Sequence, residues 1–532
     1  MPSQRNEHLR QATTGVVSAQ DIGGAGTLSI DTDSHTAARS TPLIPQRRLL
    51  PLYLLLGFSA GLPFYMFNAV LLLRLSRNGI DIVVIGFFAW VALLPTFKFL
   101  WAPMVDRLSV PGFAAFWGRR RGWIMLSQLG IFASLVAMAF TADDTNLPLV
   151  ALFAIVLAFW TTTLEVAADG WRIELAPSQA EQGPIVAANL WGYRSAMVAA
   201  GSGAALVAAR ADWTWAYLAI AALAFLPFPV LAAMRADPGA SAGRMRSLAV
   251  GVVATAAILV TTAALTALVG WVVLSAFASA GITSESNITP YVLVACLLPF
   301  LALAFALPKI RRMGPDAPWR TSPAIGPYVD IFWRYGFATL LVLGFVSLYR
   351  VGDVLALTLS HPMWDERGYS LDQIGIADGA VALPASMLGV AIGGWIAAKW
   401  RLGWALALGA VVAALGNWVY VWLWQSEPDG WILYASVAAD QFGNGMAGAV
   451  FVVYLSMLVN PRFPSAQYAF LSGFAFLLAR LLAGASGDMQ QSFGYDGFFL
   501  LAGGASLSAV LLLPLLARVI PRGHSAGPER PV

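Results

Sequence analysis

Long apolar stretches separated by short polar loops run through most of this 532-residue chain. A helix needs about 20 mainly apolar residues to cross a bilayer. Fourteen stretches are long enough, and they lie near 50–73, 82–104, 122–141, 147–171, 186–209, 213–234, 248–277, 288–308, 334–360, 373–398, 402–424, 431–458, 466–486 and 496–518. The pattern predicts an all-α membrane protein with 14 transmembrane helices, and a count of 12 is the alternative.

The second apolar half repeats the first. Residues 54–58 read Leu-Leu-Leu-Gly-Phe and residues 341–345 read Leu-Val-Leu-Gly-Phe, while Arg194 and Arg480 stand at matching distances before a glycine. Related membrane halves are typical of secondary transporters, which build a central site between them. The predicted parts are a disordered cytoplasmic tail at 1–45, a six-helix bundle at 46–235, an inserted helix pair with its linkers at 236–320, a second six-helix bundle at 321–520 and a cytoplasmic tail at 521–532.

Charged residues make up only 11% of the chain, whereas a soluble domain carries about 25%. Most surface must therefore face membrane lipid. Basic residues gather in alternate loops, including Arg47, Arg48, Arg119, Arg120, Arg121, Arg235, Arg311, Arg312, Lys399, Arg401, Arg518 and Arg522. Because membrane proteins concentrate such residues in cytoplasmic loops, both termini are predicted to be cytoplasmic. The same bias explains the net charge of +4 without nucleic acid as a partner.

The loop after the second stretch carries an acid as well as basic residues. Asp106 and Arg107 are followed by Arg119, Arg120 and Arg121. This arrangement resembles the D-R…G-R-R signature of the major facilitator superfamily, in which the acid and the arginines join helix ends and hold one conformation closed. Plain membrane anchoring would account for the arginines but not for Asp106. We therefore predict a conformational gate here.

Ionisable groups at bilayer depth are costly, by roughly 2.5–3.5 kcal/mol on insertion scales, and usually face a cavity or a partner. Glu165, Asp169 and Arg172 fall within about 60° of one helix face at 100° per residue. One interpretation is a carboxylate pair that meets a proton or the substrate, with Arg172 adjusting it. The alternative is an ion pair that only fastens the helix to its neighbours.

Two further sets of charges have the same two interpretations. Arg350 and Asp353 are three residues apart and share a helix face, so they form either a static ion pair or a pair that exchanges partners with a ligand. Arg194 and Arg480 occupy repeat-equivalent positions. Their permanently charged guanidinium groups suit a carboxylate or phosphate, and the alternative is a structural pair between helices.

Other polar residues lie inside apolar stretches. Any one of them is commonly a helix-packing contact, but their number favours a polar cavity. The predicted substrate or proton pathway therefore also includes Lys98, Tyr193, Asp378, Asp440, Asn444 and Gln467.

No enzyme motif is present in the sequence. The four histidines lie in tails or a loop, and there is no H-E-x-x-H motif, no phosphate-binding loop and no cysteine cluster. We expect neither catalysis nor a metal nor a cofactor, so uphill transport would need an ion gradient.

Several motifs together resemble the muropeptide permease (AmpG) family of the major facilitator superfamily. They are Phe97-Lys98-Phe99-Leu100-Trp101 before Asp106-Arg107, the Gly118–Trp123 block, Glu165 with Asp169-Gly170-Trp171-Arg172, Tyr193-Arg194, Tyr349-Arg350-Val351-Gly352-Asp353, Gly445-Met446 and Gln467–Ser472. The chain departs from the family before Asp169, because Leu164-Glu165 stand where glutamine and aspartate are usual.

The resemblance implies a transporter in the bacterial inner membrane that imports anhydro-muropeptides from periplasm to cytoplasm, with protons as the coupling ion. Alternatives are an acetyl-CoA-type or other anionic-solute transporter and a non-transporting membrane scaffold. The substituted Leu164 bears on which substrate is carried.

Overall fold

The computed structural model describes residues 46–79, 90–110, 113, 117–141, 146–234 and 289–519, except for 315, 323 and 484. Helices account for nearly all of this part, and no strand occurs in it. Ten of the described helices are long and apolar enough to cross a membrane. The all-α membrane fold is therefore confirmed, but the count of fourteen is not. The predicted helix at 248–277 and both predicted tails lie outside the described residues.

In the described residues of the first half, the helices fall into six groups. These are α1 (Gln46–Tyr65, prolonged by a π turn at Met66–Val70 and a helix at Leu71–Arg77), α2 (Ala102–Arg107, preceded by a 3-10 helix at Trp90–Leu100), α3 (Arg119–Ala139), α4 (Leu147–Leu175), α5 (Gln179–Val198, prolonged to Arg210) and α6 (Trp213–Ala224, followed by Pro227–Ala233).

The described chain resumes with helix α7 (Thr289–Arg311) and a one-turn helix at Pro318–Thr321, and the other helices follow. They are α8 (Gly326–Tyr335), α9 (Ala338–Glu366), α10 (Ala382–Lys399, preceded by Leu371–Ile376 and a π turn at Ala377–Val381), α11 (Leu402–Gln425), α12 (Gly430–Leu458), α13 (Pro464–Ala483) and α14 (Ser486–Val519, kinked at Gly494).

Local sequence explains where several helices start. Ser178 and Glu181 form a capping box that begins α5 at Gln179, because each side chain accepts a hydrogen bond from the other's backbone N–H. Asn146, Asp212 and Asp429 cap α4, α6 and α12 in the simpler way. The predicted start of α5 at 186 is thus too late, since polar cap residues carry no apolar signal.

The segment before α9 also differs from the prediction. The helix predicted over 334–360 corresponds to α9, which begins at Ala338 because the chain first forms the short helix α8 and then turns at Gly336. Gly336 has φ +53°, a conformation that residues with a side chain rarely adopt. This turn lets α8 lie against α13 instead of continuing into α9.

Small residues let backbones approach closely, as is typical of membrane helix interfaces. A Cβ on Gly192 of α5 would lie 1.9 Å from the Leu54 oxygen of α1. A Cβ on Gly183, also in α5, would lie 2.3 Å from the Gly394 oxygen of α10. The second contact joins the two repeat halves directly.

The buried apolar side chains form three clusters. One is drawn almost wholly from residues 49–231, with Ala466 and Ala469 of α13 added. The other two are drawn mainly from residues after 306. The predicted domain boundaries remain a prediction, but each half has apolar packing of its own, and α13 adds side chains to the packing of the first half.

Candidate functional site: a polar cavity and its closed end

Asp106 fastens the first half to the start of α13. Its side chain is 1% exposed and accepts hydrogen bonds from the backbone N–H groups of Ser465 at 3.0 Å and Ala466 at 2.7 Å. The first N–H groups of a helix lack partners inside the helix and favour a negative charge. Asp106 therefore caps a helix of the opposite half, and we call this end of the bundle the Asp106 end.

Arg120 completes the same contact. Its guanidinium lies 2.7 Å from Asp106 Oδ1 and 2.7 Å from Glu174 Oε1, and it donates to Ser465 Oγ at 2.8 Å. Arg119 donates to Glu174 and to the Asp106 carbonyl. The structure thus brings together the acid and two of the predicted gate arginines, with Glu174 as an added acid.

The other two gate arginines lie at the edge of this contact. Arg107 stacks over the Phe463 ring at 5.5 Å, which also joins the two halves. Arg121 is buried and donates to the Met234 carbonyl at 3.3 Å, within its own half.

The acidic face of α4 is divided between two environments. Arg172 lies 2.9 Å from Asp169 Oδ1 and donates to Ser456 Oγ of α12 at 3.0 Å. It also lies over the Tyr468 ring of α13 at 5.4 Å. Asp169 and Arg172 therefore belong to the Asp106 end, where their geometry fits the fastening interpretation.

Gln467 lies in a separate polar cluster with α8. Its amide nitrogen donates to Asp330 Oδ2 at 2.7 Å and to the Pro327 carbonyl at 2.9 Å, and its oxygen accepts from Arg334 at 2.9 Å. Tyr328 of α8 in turn donates to the Phe99 carbonyl in the first half. Gln467 thus holds a surface helix across the Asp106 end.

Glu165 lies in a cavity between the two halves. The cavity measures about 250 Å³, and its walls come from both halves. Its lining residues are Phe64, Pro95, Thr96, Lys98, Glu165, Tyr193, Ser472, Gly473, Phe476 and Arg480. Glu165 Oε2 lies 3.7 Å from Lys98 Nζ, and their side chains are 21% and 13% exposed. The cavity therefore presents an acid, two cations, hydroxyl groups and aromatic rings to one small volume.

The repeat-related arginines each reach into the opposite half. Arg480 of the second half donates to Thr96 Oγ1 at 2.5 Å. Arg194 of the first half donates to Gln441 Oε1 at 3.4 Å and Asn444 Oδ1 at 3.5 Å. At 1.5 Å per residue, both arginines lie about 22–24 Å along their helices from the Asp106 end. They join the halves near the middle of the bundle.

A hydrogen-bonded chain leads on from Arg194. Gln441 accepts from Arg194 and donates to Asp440 Oδ2 at 3.0 Å. Tyr420 donates to the same oxygen at 3.2 Å. The buried Asp440 is thereby connected to a cation of the first half through one amide side chain.

Arg350 and Asp353 form a buried pair within α9, with 2.7 Å between Nη1 and Oδ2. The Arg350 guanidinium also lies 5.1 Å from the centre of the Phe476 ring, which lines the cavity. The pair is therefore one side chain away from the cavity.

Asp378 lies elsewhere. It is about half exposed and 2.8 Å from His361 Nε2, which is also about half exposed. The structure therefore does not bring Asp378 together with the cavity residues.

Sequence reasoning missed several contributors, including Glu174, Thr96 and Phe476. Glu174 ends α4 among apolar residues and resembles a surface charge. Thr96 and Phe476 are ordinary membrane residues in the sequence. Their contacts with Arg480 and Arg350 in the structure identify them as part of the site. Within the described residues no group of three metal-ligating side chains occurs.

Known proteins resemble this chain both in sequence and in fold. The chain is 24% identical over 462 residues to the anhydromuropeptide permease of Escherichia coli K12, covering 86% of this chain and 78% of that protein. It is 24% identical over 480 residues to the putative transporter AmpG 4 of Rickettsia conorii, covering 90% and 98%. No family model matches the chain.

The human organic anion transporter MFSD10 (TETRAN) has a similar structure, with a TM-score of 0.52 and 15% identity. The match covers 88% of this chain and 100% of that one. The names of these proteins describe a permease and transporters. The chain is thus a multi-pass membrane protein with the fold of the major facilitator transporters, and it is related to proteins named anhydromuropeptide permease.

Proposed function

We propose that this protein is a secondary transporter that carries anhydro-muropeptides from periplasm to cytoplasm with protons. The observation that carries the proposal is the cavity of mixed charge between the halves, in a chain whose relatives are named anhydromuropeptide permease. Peptide carboxylates suit Arg480 and Lys98, because both present permanent or strong positive charge. Sugar faces suit the rings of Phe64, Tyr193 and Phe476.

The Lys98–Glu165 pair supplies a route for coupling proton uptake to substrate binding. While Glu165 is charged, it holds Lys98 at 3.7 Å. Protonation of Glu165 removes that attraction and leaves Lys98 to bind a substrate carboxylate. Proton uptake and anion binding then favour the same state, which is the requirement for symport.

The contacts between the halves indicate at which end the central cavity opens to admit substrate. At about 250 Å³ the cavity is smaller than the roughly 300–1,000 Å³ of sites for drug-sized ligands. The Asp106 end is fastened by the bonds of Asp106, Arg120 and Arg172. An incoming muropeptide would therefore widen the cavity from the opposite end, which the loop charges predict to be periplasmic.

The test is uptake by proteoliposomes that contain the purified full chain. With an acidic exterior, labelled anhydro-muropeptide should accumulate, and an uncoupler should abolish the accumulation. Unlabelled muropeptide should compete, whereas acetyl-CoA should not. Competition by acetyl-CoA but not by unlabelled muropeptide would indicate a carrier of anionic solutes. If neither muropeptide nor acetyl-CoA is taken up, the result would favour a non-transporting scaffold.

Glu165→Gln separates transport from coupling. The variant fixes a neutral side chain, so we expect loss of proton-driven accumulation while exchange of internal for external substrate continues. Glu427→Gln is the matched control, because Glu427 is exposed in the loop between α11 and α12. Wild-type accumulation by Glu165→Gln would remove Glu165 from the coupling step.

A further inference from the structure

A second cavity lies at the Asp106 end, away from the central one. It measures about 830 Å³ and opens between the start of α11, the end of α14 and Tyr454 of α12. Its walls are mostly apolar, with Leu402, Leu406, Leu513 and Pro514 among them. We call it the α11–α14 groove.

Two polar groups in the groove lack protein partners. Arg401 is exposed at the mouth, and no described residue pairs with it. Tyr454 is 7% exposed and lines the interior, and its buried hydroxyl has no hydrogen-bond partner. Buried hydroxyl groups are nearly always paired in folded proteins. A residue that lines an apolar groove and keeps an unpaired donor points to an occupant with acceptor oxygens.

The position of the groove indicates the source of those oxygens. Arg401 immediately precedes α11, and Tyr454 lies four residues, or about 6 Å, before the end of α12. Trp400 and Trp404 are 47% and 70% exposed beside the mouth, as is typical of side chains at the level of lipid head groups. The groove thus spans the boundary between head groups and acyl chains.

We propose that the α11–α14 groove binds an anionic phospholipid, with the phosphate at Arg401, an ester oxygen at Tyr454 and an acyl chain along the apolar wall. The apolar wall gives no preference among lipids, because every lipid tail is apolar. Preference for a negative head group comes from Arg401, since basic pockets between membrane helices select such lipids.

The bound lipid would touch both halves. Gln179 of α5 also lines the groove, and it donates to the carbonyl oxygens of Ala397 at 2.5 Å and Trp400 at 2.8 Å. A lipid seated against this contact stabilises the state in which the Asp106 end is closed. The site therefore makes the closed state sensitive to lipid composition, independently of what the central cavity carries.

The test is native mass spectrometry of the purified full chain with phosphatidylglycerol or phosphatidylcholine added. We expect phosphatidylglycerol to bind preferentially. Arg401→Gln should weaken that binding about fivefold, the effect of one cation near a lipid surface. Tyr454→Phe, which keeps the ring, should weaken binding of both lipids.

Lys399→Gln is the control, because Lys399 is exposed two residues before Arg401 and does not line the groove. Melting curves without lipid establish that each variant is folded. Equal losses for Lys399→Gln and Arg401→Gln would show diffuse charge attraction and overturn the site. Unchanged binding in both Arg401→Gln and Tyr454→Phe would also overturn it.

Discussion

Removing the negative charge of Asp106 should open the end of the bundle that it fastens. Asp106→Asn keeps the size of the side chain but loses the ion pair with Arg120 and one acceptor for the N–H groups of Ser465 and Ala466. A hydrogen bond to a charged group contributes about 1.5–3 kcal/mol, and a charge at a helix start contributes about 0.3–1 kcal/mol. Glu174 still neutralises Arg120, which limits the loss.

Together these contributions give a loss of about 2–4 kcal/mol from the closed state. At 1.4 kcal/mol per tenfold change, the ratio of closed to open molecules should fall by roughly 30- to 700-fold. A thiol placed between the halves reports this ratio. Ala469 of α13 is 1% exposed and packs against the first half, so Ala469→Cys is a suitable reporter in a Cys296→Ser background, which removes the chain's only cysteine.

The assay is the rate of labelling of Ala469→Cys by a membrane-impermeant maleimide added from the Asp106 side. We expect slow labelling with native Asp106 and much faster labelling with Asp106→Asn. Asp212→Asn is the matched control, because Asp212 caps α6 within its own half by accepting from Trp215 N at 2.9 Å. Equal labelling rates for Asp106→Asn and the native chain would refute the fastening role.

Two further changes test neighbouring contacts. Gly183→Ala places a Cβ 2.3 Å from the Gly394 oxygen and should therefore speed labelling of the same reporter. Gly201→Ala is the control, because its Cβ meets nothing within 4 Å and should leave the labelling rate unchanged. Equal labelling rates for the two variants would contradict the close contact between Gly183 and Gly394. Asp353→Asn removes the ion-pair partner of Arg350, whose side chain is 12% exposed, and should destabilise the protein by up to about 3–5 kcal/mol, seen as a lower melting temperature. Replacing Arg350 and Asp353 together by leucine should restore stability, and restored transport would show that the pair is only structural.

The sequence predicted the membrane-spanning helices well where apolar residues continue without interruption. The stretch at 402–424 corresponds to Leu402–Gln425, and the stretch at 431–458 to Gly430–Leu458. Prediction failed where polar caps or a glycine set the boundary, as at Ser178 and Gly336. Those boundaries depend on hydrogen bonds and backbone angles that hydropathy does not register.

Several residues of the candidate site could be singled out from the sequence, but their arrangement could not. Charge at bilayer depth singled out Glu165 and Lys98, and the loop motif singled out Asp106. The sequence could not show that Asp106 binds the start of α13, because the contact is made by backbone N–H groups, which every helix start has. The sequence also could not show that Glu165 faces the cavity while Asp169 belongs to the Asp106 end. The two acids share one helix face and differ in their partners, which are Lys98 for Glu165 and Arg172 for Asp169.

The most direct test of the account asks whether the substrate occupies the central cavity. Ser472 lines that cavity, and Ser472→Cys in the Cys296→Ser background changes one atom of the side chain. Its labelling by a small methanethiosulfonate reagent should be slowed by saturating anhydro-muropeptide and not by acetyl-CoA, and Arg480→Gln should abolish the protection. Unchanged labelling under conditions in which the same protein transports muropeptide would place the substrate elsewhere and contradict the account.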